Sequence, residues 1–267
     1  MVRELRWPRH LIGISKLKEK SMRDNHLHTY FSYDAEARFE DYLTIYEGEI
    51  VTTEHFDLSN PYLGGPRDDV PDYQAYTEQI ACLNRQYGNR IKKGIEIGYY
   101  APREADTLAY LEGKDFDLKL LSVHHNGSFD YLEDEVLSLD RNEHIVAYLQ
   151  EIERAIERIP ADVLAHFDYG FRRLSLTVDE LREFEPNLRT LFQKMMDYHL
   201  AFELNSKSMY LYDNEPLYLY ALSILQEMGC KRYSIGSDGH YQRHFRLQFD
   251  RIKQILDDYG IQEEWLV

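Results

Sequence analysis

Near its start the chain reads Asn25-His26-Leu27-His28-Thr29, two histidines one residue apart, with Asp34 a short way on. Alternate residues of an extended run project to the same side. His26 and His28 can therefore present two imidazole nitrogens to one cation, with Asp34 returning from the following loop. A pair alone decides little, but comparable groups recur along the chain. Glu54 and His55 stand in TTEH, Glu96 between two isoleucines in GIEIG, and His124 and His125 in SVHH. His166 and Asp168 follow in LAHFD, Glu203 and Asn205 in FELN, and Asp238 and His240 in GSDGH. Each group lies where a short β-type run ends, whereas His10, His144, His199 and His244 are scattered. Imidazole and carboxylate suit zinc, manganese or iron. The candidates outnumber the coordination positions of one ion. Two or three divalent ions are therefore expected, with an acid such as Glu96 bridging a pair. Cations about 3.5–4 Å apart lower the pKa of a shared water and steady the attacking and leaving oxygens of phosphoryl hydrolysis.

The elements that must carry these groups follow from the hydrophobic pattern. Strands are expected over residues 23–27, 49–53, 90–97, 118–123, 163–165, 202–205 and 232–236. Helices are expected over 35–46, 72–87, 103–112, 141–158, 178–199, 215–228 and 248–259. Pro71-Asp72 and Thr177 supply helix-start signals and Gly229 a stop. The tyrosine-rich run 209–220 reads as a loop entering a helix. Repeated strand–helix alternation argues for parallel strands, and 267 residues suit one closed α/β barrel with its chemistry at the C-terminal strand ends. A single domain is expected over 23–267. Residues 1–22, rich in arginine and lysine, read as a loosely packed basic leader.

Composition narrows the function. A formal charge of −16 opposes a grip on long nucleic acid or an anionic membrane, and no apolar run is long enough to span a bilayer. A cytoplasmic protein is expected. Cys82 and Cys230, the only cysteines, cannot build a disulfide framework or a thiolate zinc cluster. No serine nucleophile elbow, P-loop or dinucleotide fingerprint occurs. PYLGGPR, residues 61–67, lacks the lysine of a phosphate loop and reads as a turn.

Taken in order, DNHLHT, TTEH, GIEIGY, SVHH, LAHFD and GSDGH resemble the polymerase-and-histidinol-phosphatase family, most closely its histidinol-phosphatase branch, over residues 23–240. The resemblance implies a distorted seven-stranded (β/α)7 barrel, TIM-like, holding up to three metal ions. By position, His26, His28, Glu96, His124, His166 and Asp238 match ligands of a bridged pair, and Asp34, His55 and His240 a third site. It further implies a metal-dependent phosphomonoesterase, its metal-bridged water held by Glu96 and Asp238, acting on a small anionic ester and most closely on histidinol phosphate. The substrate side departs from the family pattern. After the sixth strand the chain reads Asn205-Ser206-Lys207-Ser208-Met209-Tyr210, with tyrosine where relatives carry arginine. Lys207, Arg172, Arg173 and His125 are the candidates for gripping substrate. Nucleotides, oligonucleotides or phosphotyrosine are alternative substrates, and a metal-holding domain without turnover is the alternative from another class. The sequence leaves oligomeric state open.

Overall fold

Strand–helix alternation resolves, in the computed structural model, into a ring of parallel strands, described here over residues 22–63 and 67–267. In chain order the strands are β1 (Asp24–Leu27), β2 (Ile50–Asn60), β3 (Arg67–Asp69), β4 (Ile91–Gly98), β5 (Leu118–Ser122), β6 (Val163–Leu164), β7 (Ala201–Asn205) and β8 (Tyr233–Gly236). Seven run parallel in the order β1-β2-β4-β5-β6-β7-β8, and β3 pairs antiparallel with the far end of β2. The seam between β1 and β8 is drawn together by a few bonds rather than a ladder. His28 N donates to Gly239 O at 2.9 Å and Ser237 N to the Asp24 carboxylate at 2.9 Å. The result is a nearly closed seven-stranded barrel, the fold class expected from the sequence.

Nine helices surround it among the described residues: α1 (Phe39–Leu43), α2 (Tyr73–Tyr87), α3 (Glu104–Leu111), α4 (Arg141–Arg158), α5 (Val178–Arg182), α6 (Glu185–Asp197), α7 (Ser206–Leu211), α8 (Glu215–Glu227) and α9 (Phe249–Asp258). Asp72 caps α2 by accepting from Ala75 N at 3.0 Å, and Asp140 caps α4 through Asn142 N and Glu143 N. The main core lies between strands and helices, where Ile95, Ile97 and Leu121 meet Leu149, Ile152 and Phe192. Burying such side chains contributes roughly 1.5–3 kcal/mol each. A smaller cluster of Val51, Leu118, Leu120, Val163, Ala165 and Ala201 draws on four neighbouring parts of the ring.

Several elements differ from expectation, each for a local reason. Only Phe39–Leu43 of the helix expected over 35–46 forms, because residues 29–38 fold into a loop tied to the last strand's exit: Ala37 N donates to His240 O at 3.2 Å. The helix expected over 178–199 divides into α5 and α6, with Pro186 in the first turn of the second, where its missing N–H costs nothing. α7 forms where a loop was expected, capped by the Asn205 side chain accepting from Ser208 N. β2 continues seven residues past the expected stop at 53, carried by its pairing with β4 and β3. Of the expected leader, residues 1–21 lie outside the described residues, and Met22 is buried in the core. The turn expected over 61–67 begins as a 3-10 turn at Pro61–Leu63 and then passes through 64–66, also outside the described residues. No helix among the described residues is long and apolar enough to cross a membrane.

Candidate metal centre

The sequence run GIEIG makes β4 a buried strand whose pleat turns Ile95 and Ile97 outward to the helices and Glu96 inward. β2 runs alongside with His55 directly opposite Glu96. Glu96 is 1% exposed and presents its two oxygens to different partners. Oε1 lies 2.7 Å from His166 Nε2 and 3.1 Å from His124 Nε2. Oε2 lies 3.2 Å from His26 Nε2, 3.3 Å from His28 Nε2 and 3.1 Å from His55 Nδ1. A second group gathers at the mouth. Asp34 reaches in from the 29–38 loop, its carboxylate 3.2 Å from His240 Nε2 and 3.5 Å from His55 Nε2. Asp238 completes the set, 3.9 Å from His28 Nε2. All nine residues singled out as ligands thus converge on one end of the barrel.

Whether these residues fit cations is decided by where their protons must be. His26 Nδ1 donates to Glu203 Oε1 at 2.7 Å, His124 Nδ1 to the Asp57 carboxylate at 2.9 Å, and His240 Nδ1 to the carbonyl of Asp238 at 3.0 Å. His28 Nδ1 donates to Ser32 Oγ at 3.2 Å, since that hydroxyl spends its own proton on Glu54 Oε2. With Nδ1 protonated, each Nε2 carries a lone pair aimed into the site. His26 Nε2 and His28 Nε2 stand 3.1 Å apart, and His55 Nε2 and His240 Nε2 3.3 Å apart. Nitrogens facing each other at that distance repel unless a proton or a metal cation lies between them. Four triads of these donors (His26-Glu96-His166, His55-Glu96-His124, His26-His28-Asp238 and His28-His55-His240) lie within 4.8 Å of one another. Glu96 Oε2, His55 Nδ1 and Asp34 Oδ1 are buried without a hydrogen-bond partner. The donor set fits divalent metal.

Electrostatics divides the ligands. Burial disfavours charge on His26, His55 and His124, but Glu203 and Glu96, Asp34 and Glu96, and Asp57 and Glu96 respectively outweigh it and push these three imidazoles up. A metal ion must therefore displace a proton there. Burial works against the charge on Glu96, but the imidazoles of His26, His124 and His55 outweigh it and hold its carboxyl well below the usual range. Asp238 behaves alike, burial being overcome by Lys207, His26, His240 and Arg172. Burial pushes His28 and His166 down, toward the neutral imidazole that coordinates.

The substrate candidates part company. Lys207 lines the pocket, its Nζ 3.0 Å from Asp238 Oδ1 and 3.3 Å from His240 Nδ1. Arg172 lies behind it, fully buried, 3.8 Å from Asp238 Oδ2 and 3.7 Å from Asp168, between the rings of Tyr169 and Tyr212. Arg173 turns outward to Leu132 O and Asp134, both 2.7 Å away. His125, following His124, faces the other way against Tyr100, its Nδ1 accepting from Gly127 N. Neither Arg173 nor His125 reaches the pocket wall. Residues outside the expected ligand set also matter. Asp57 and Glu203 orient ligand histidines; Asn60, Asp130 and Tyr169 line the pocket. Asp57 shares the pleat of His55 two residues earlier, so a longer β2 would have exposed it to the same argument.

Fold and donor set together define an α/β barrel with a candidate site for divalent metal at its mouth. No protein-family model matches the chain. It is 25% identical over 244 residues to a probable histidinol-phosphatase of Clostridium acetobutylicum, spanning 88% of this chain and 92% of that one. It is 24% identical over 258 residues to the histidinol-phosphatase of Lactococcus lactis, covering 90% and 92%. Among solved structures, the histidinol phosphate phosphatase of Lactococcus lactis, complexed with zinc, L-histidinol and phosphate, superposes with a TM-score of 0.80 at 22% identity, over 91% of this chain and 95% of that one. At that identity the likeness establishes the shared fold.

Proposed function

We propose that this chain is a metal-dependent phosphomonoesterase that hydrolyses histidinol phosphate. The observation that carries the reading is Glu96, whose two oxygens face separate histidine sets in a pocket that also holds Lys207. The curated relatives named histidinol-phosphatase point to the same substrate, and the similar fold is known with zinc, L-histidinol and phosphate. Two or three divalent ions, zinc, manganese or iron, would be held by His26, His28, Asp34, His55, Glu96, His124, His166, Asp238 and His240. Such ions supply Lewis acidity and lower the pKa of water.

The chain's own residues do the rest. Glu96 and Asp238 bring the negative charge that fixes cations and keeps an attacking water in place. Glu203 and Asp57 hold His26 and His124 in the tautomer whose Nε2 can coordinate. Lys207 offers a point charge to a phosphoryl oxygen, without the bidentate grip of an arginine. Tyr210, at the position where the family pattern has arginine, instead packs beneath Arg251, 5.4 Å from its ring. Arg172 supports Asp238 from behind, and Arg173 and His125 are left out of the substrate site. The reading places the protein in histidine biosynthesis and in the cytoplasm.

The test is a panel of phosphomonoesters and diesters, nucleotides and phosphotyrosine included, assayed with each metal. A kcat/KM for histidinol phosphate about a hundredfold above that for p-nitrophenyl phosphate, roughly 2.7 kcal/mol of transition-state binding, is expected. A flat profile would sink the substrate assignment and leave the phosphatase.

A further inference from the structure

Asp130 is 3% exposed yet lines the same pocket as the metal ligands. It sits in the loop after β5, and that loop is pinned to the centre: Tyr131 N donates to His124 O at 2.9 Å. Its partners are all neutral. Oδ1 accepts from Leu132 N at 2.9 Å and Tyr169 OH at 3.1 Å, and Oδ2 accepts from Asn60 Nδ2 at 3.3 Å. Among the described residues no lysine, arginine or histidine pairs with it. The other carboxylates deep in the pocket are committed, Asp57 to His124, Asp238 to Lys207 and Glu96 to the histidines. A buried carboxylate without a cation is costly, and Oδ2, with one long bond, keeps capacity for another donor. Lys207 approaches the pocket from the β7–α7 junction, so the site offers a positive group for phosphate and, from a different loop, a negative group for something else.

We infer that Asp130 is the specificity-determining residue that receives the ammonium group of an amino-alcohol phosphate ester. The inference rests on the phosphatase reading and deepens it: it says why a primary amine near the scissile ester is recognised. The three neutral donors keep the carboxylate aimed, and the substrate supplies the missing cation in a charge-assisted hydrogen bond.

The first test uses the metal-loaded wild-type enzyme, so folding is not in question. Histidinol phosphate, its N-acetyl derivative and 3-(imidazol-4-yl)propyl phosphate, which lacks the amine, are compared by kcat/KM. The free amine should be worth roughly ten- to hundredfold, the span of a hydrogen bond to a charged group. In Asp130→Asn, checked for metal content, that preference should collapse toward unity, the loss in kcat/KM falling far more heavily on histidinol phosphate than on the des-amino ester. Equal loss on all three esters in Asp130→Asn would make the residue structural and overturn the inference. So would a wild-type enzyme indifferent to the amine, or one that reads only the imidazole, although either would leave the phosphatase standing. Failure to hydrolyse any ester would overturn the phosphatase reading and this inference together.

Discussion

The barrel interior changes character along its axis. Toward the N-terminal ends of the strands, Val51, Leu118, Leu120, Val163 and Ala201 close the ring with apolar side chains. Toward the C-terminal ends the ring turns inward His55 on β2, Glu96 on β4 and Glu203 on β7. The period of two that puts Val51 inside puts His55 inside four residues later, and Ala201 precedes Glu203 in the same way. One ring therefore carries a plug that excludes water and a cradle that gathers charge. Stability and chemistry are assigned to opposite ends, and substitutions should separate them.

The largest effect is expected from Glu96→Gln, which keeps the shape and removes the charge shared by five histidines. Activity on a phosphomonoester should fall about a thousandfold or more, equivalent to about 4 kcal/mol, and bound metal measured by atomic emission should drop with it. Near-wild-type turnover in a metal-replete Glu96→Gln enzyme would break the division between the two ends. Leu120→Ala strikes the plug. It should cost about 2–5 kcal/mol of stability, read from denaturant unfolding of the metal-free protein, while kcat per folded molecule stays unchanged; a selective loss of kcat would show the ends to be coupled. The smallest effect is expected from Asp57→Asn, which leaves His124 a neutral partner in place of a carboxylate. Metal affinity should weaken about ten- to hundredfold, measured by competition with a chromogenic chelator, and unchanged affinity would demote Asp57 to packing.

The cradle was more legible in the sequence than the elements around it. Histidine and carboxylate at the ends of β-type runs are uncommon enough that their positions announce themselves, and His26, Glu96, His166 and Asp238 meet because parallel strands bring their ends together whatever the distance along the chain. Asp57 was hidden because β2 was expected to stop at 53; the strand's further length comes from pairing with β4 up to Asp57 and then with β3, whose three residues carry no periodic signal. Asp130 lies in a loop, where no period says which way a side chain points. Arg172 and Arg173 look equivalent as neighbours, yet the turn Tyr169–Leu174 buries the first between two tyrosines and sends the second to Asp134. Burial of a charge depends on rings and acids supplied by distant segments, which a local pattern does not contain.

The tie between the 29–38 loop and the exit of β8 also sets a schedule. Ala37 N and Glu36 N both bond to His240 O, and Asp34 faces His240 and His55 together. On a ribosome the chain emerges from its N-terminus, so His26, His28 and Asp34 are exposed long before Asp238 and His240 exist. During that interval the early candidate ligands would offer only an incomplete chelate. Under the proposed metal assignment, tight metal acquisition would wait until the last strand is released and the ring is drawn shut, late in maturation.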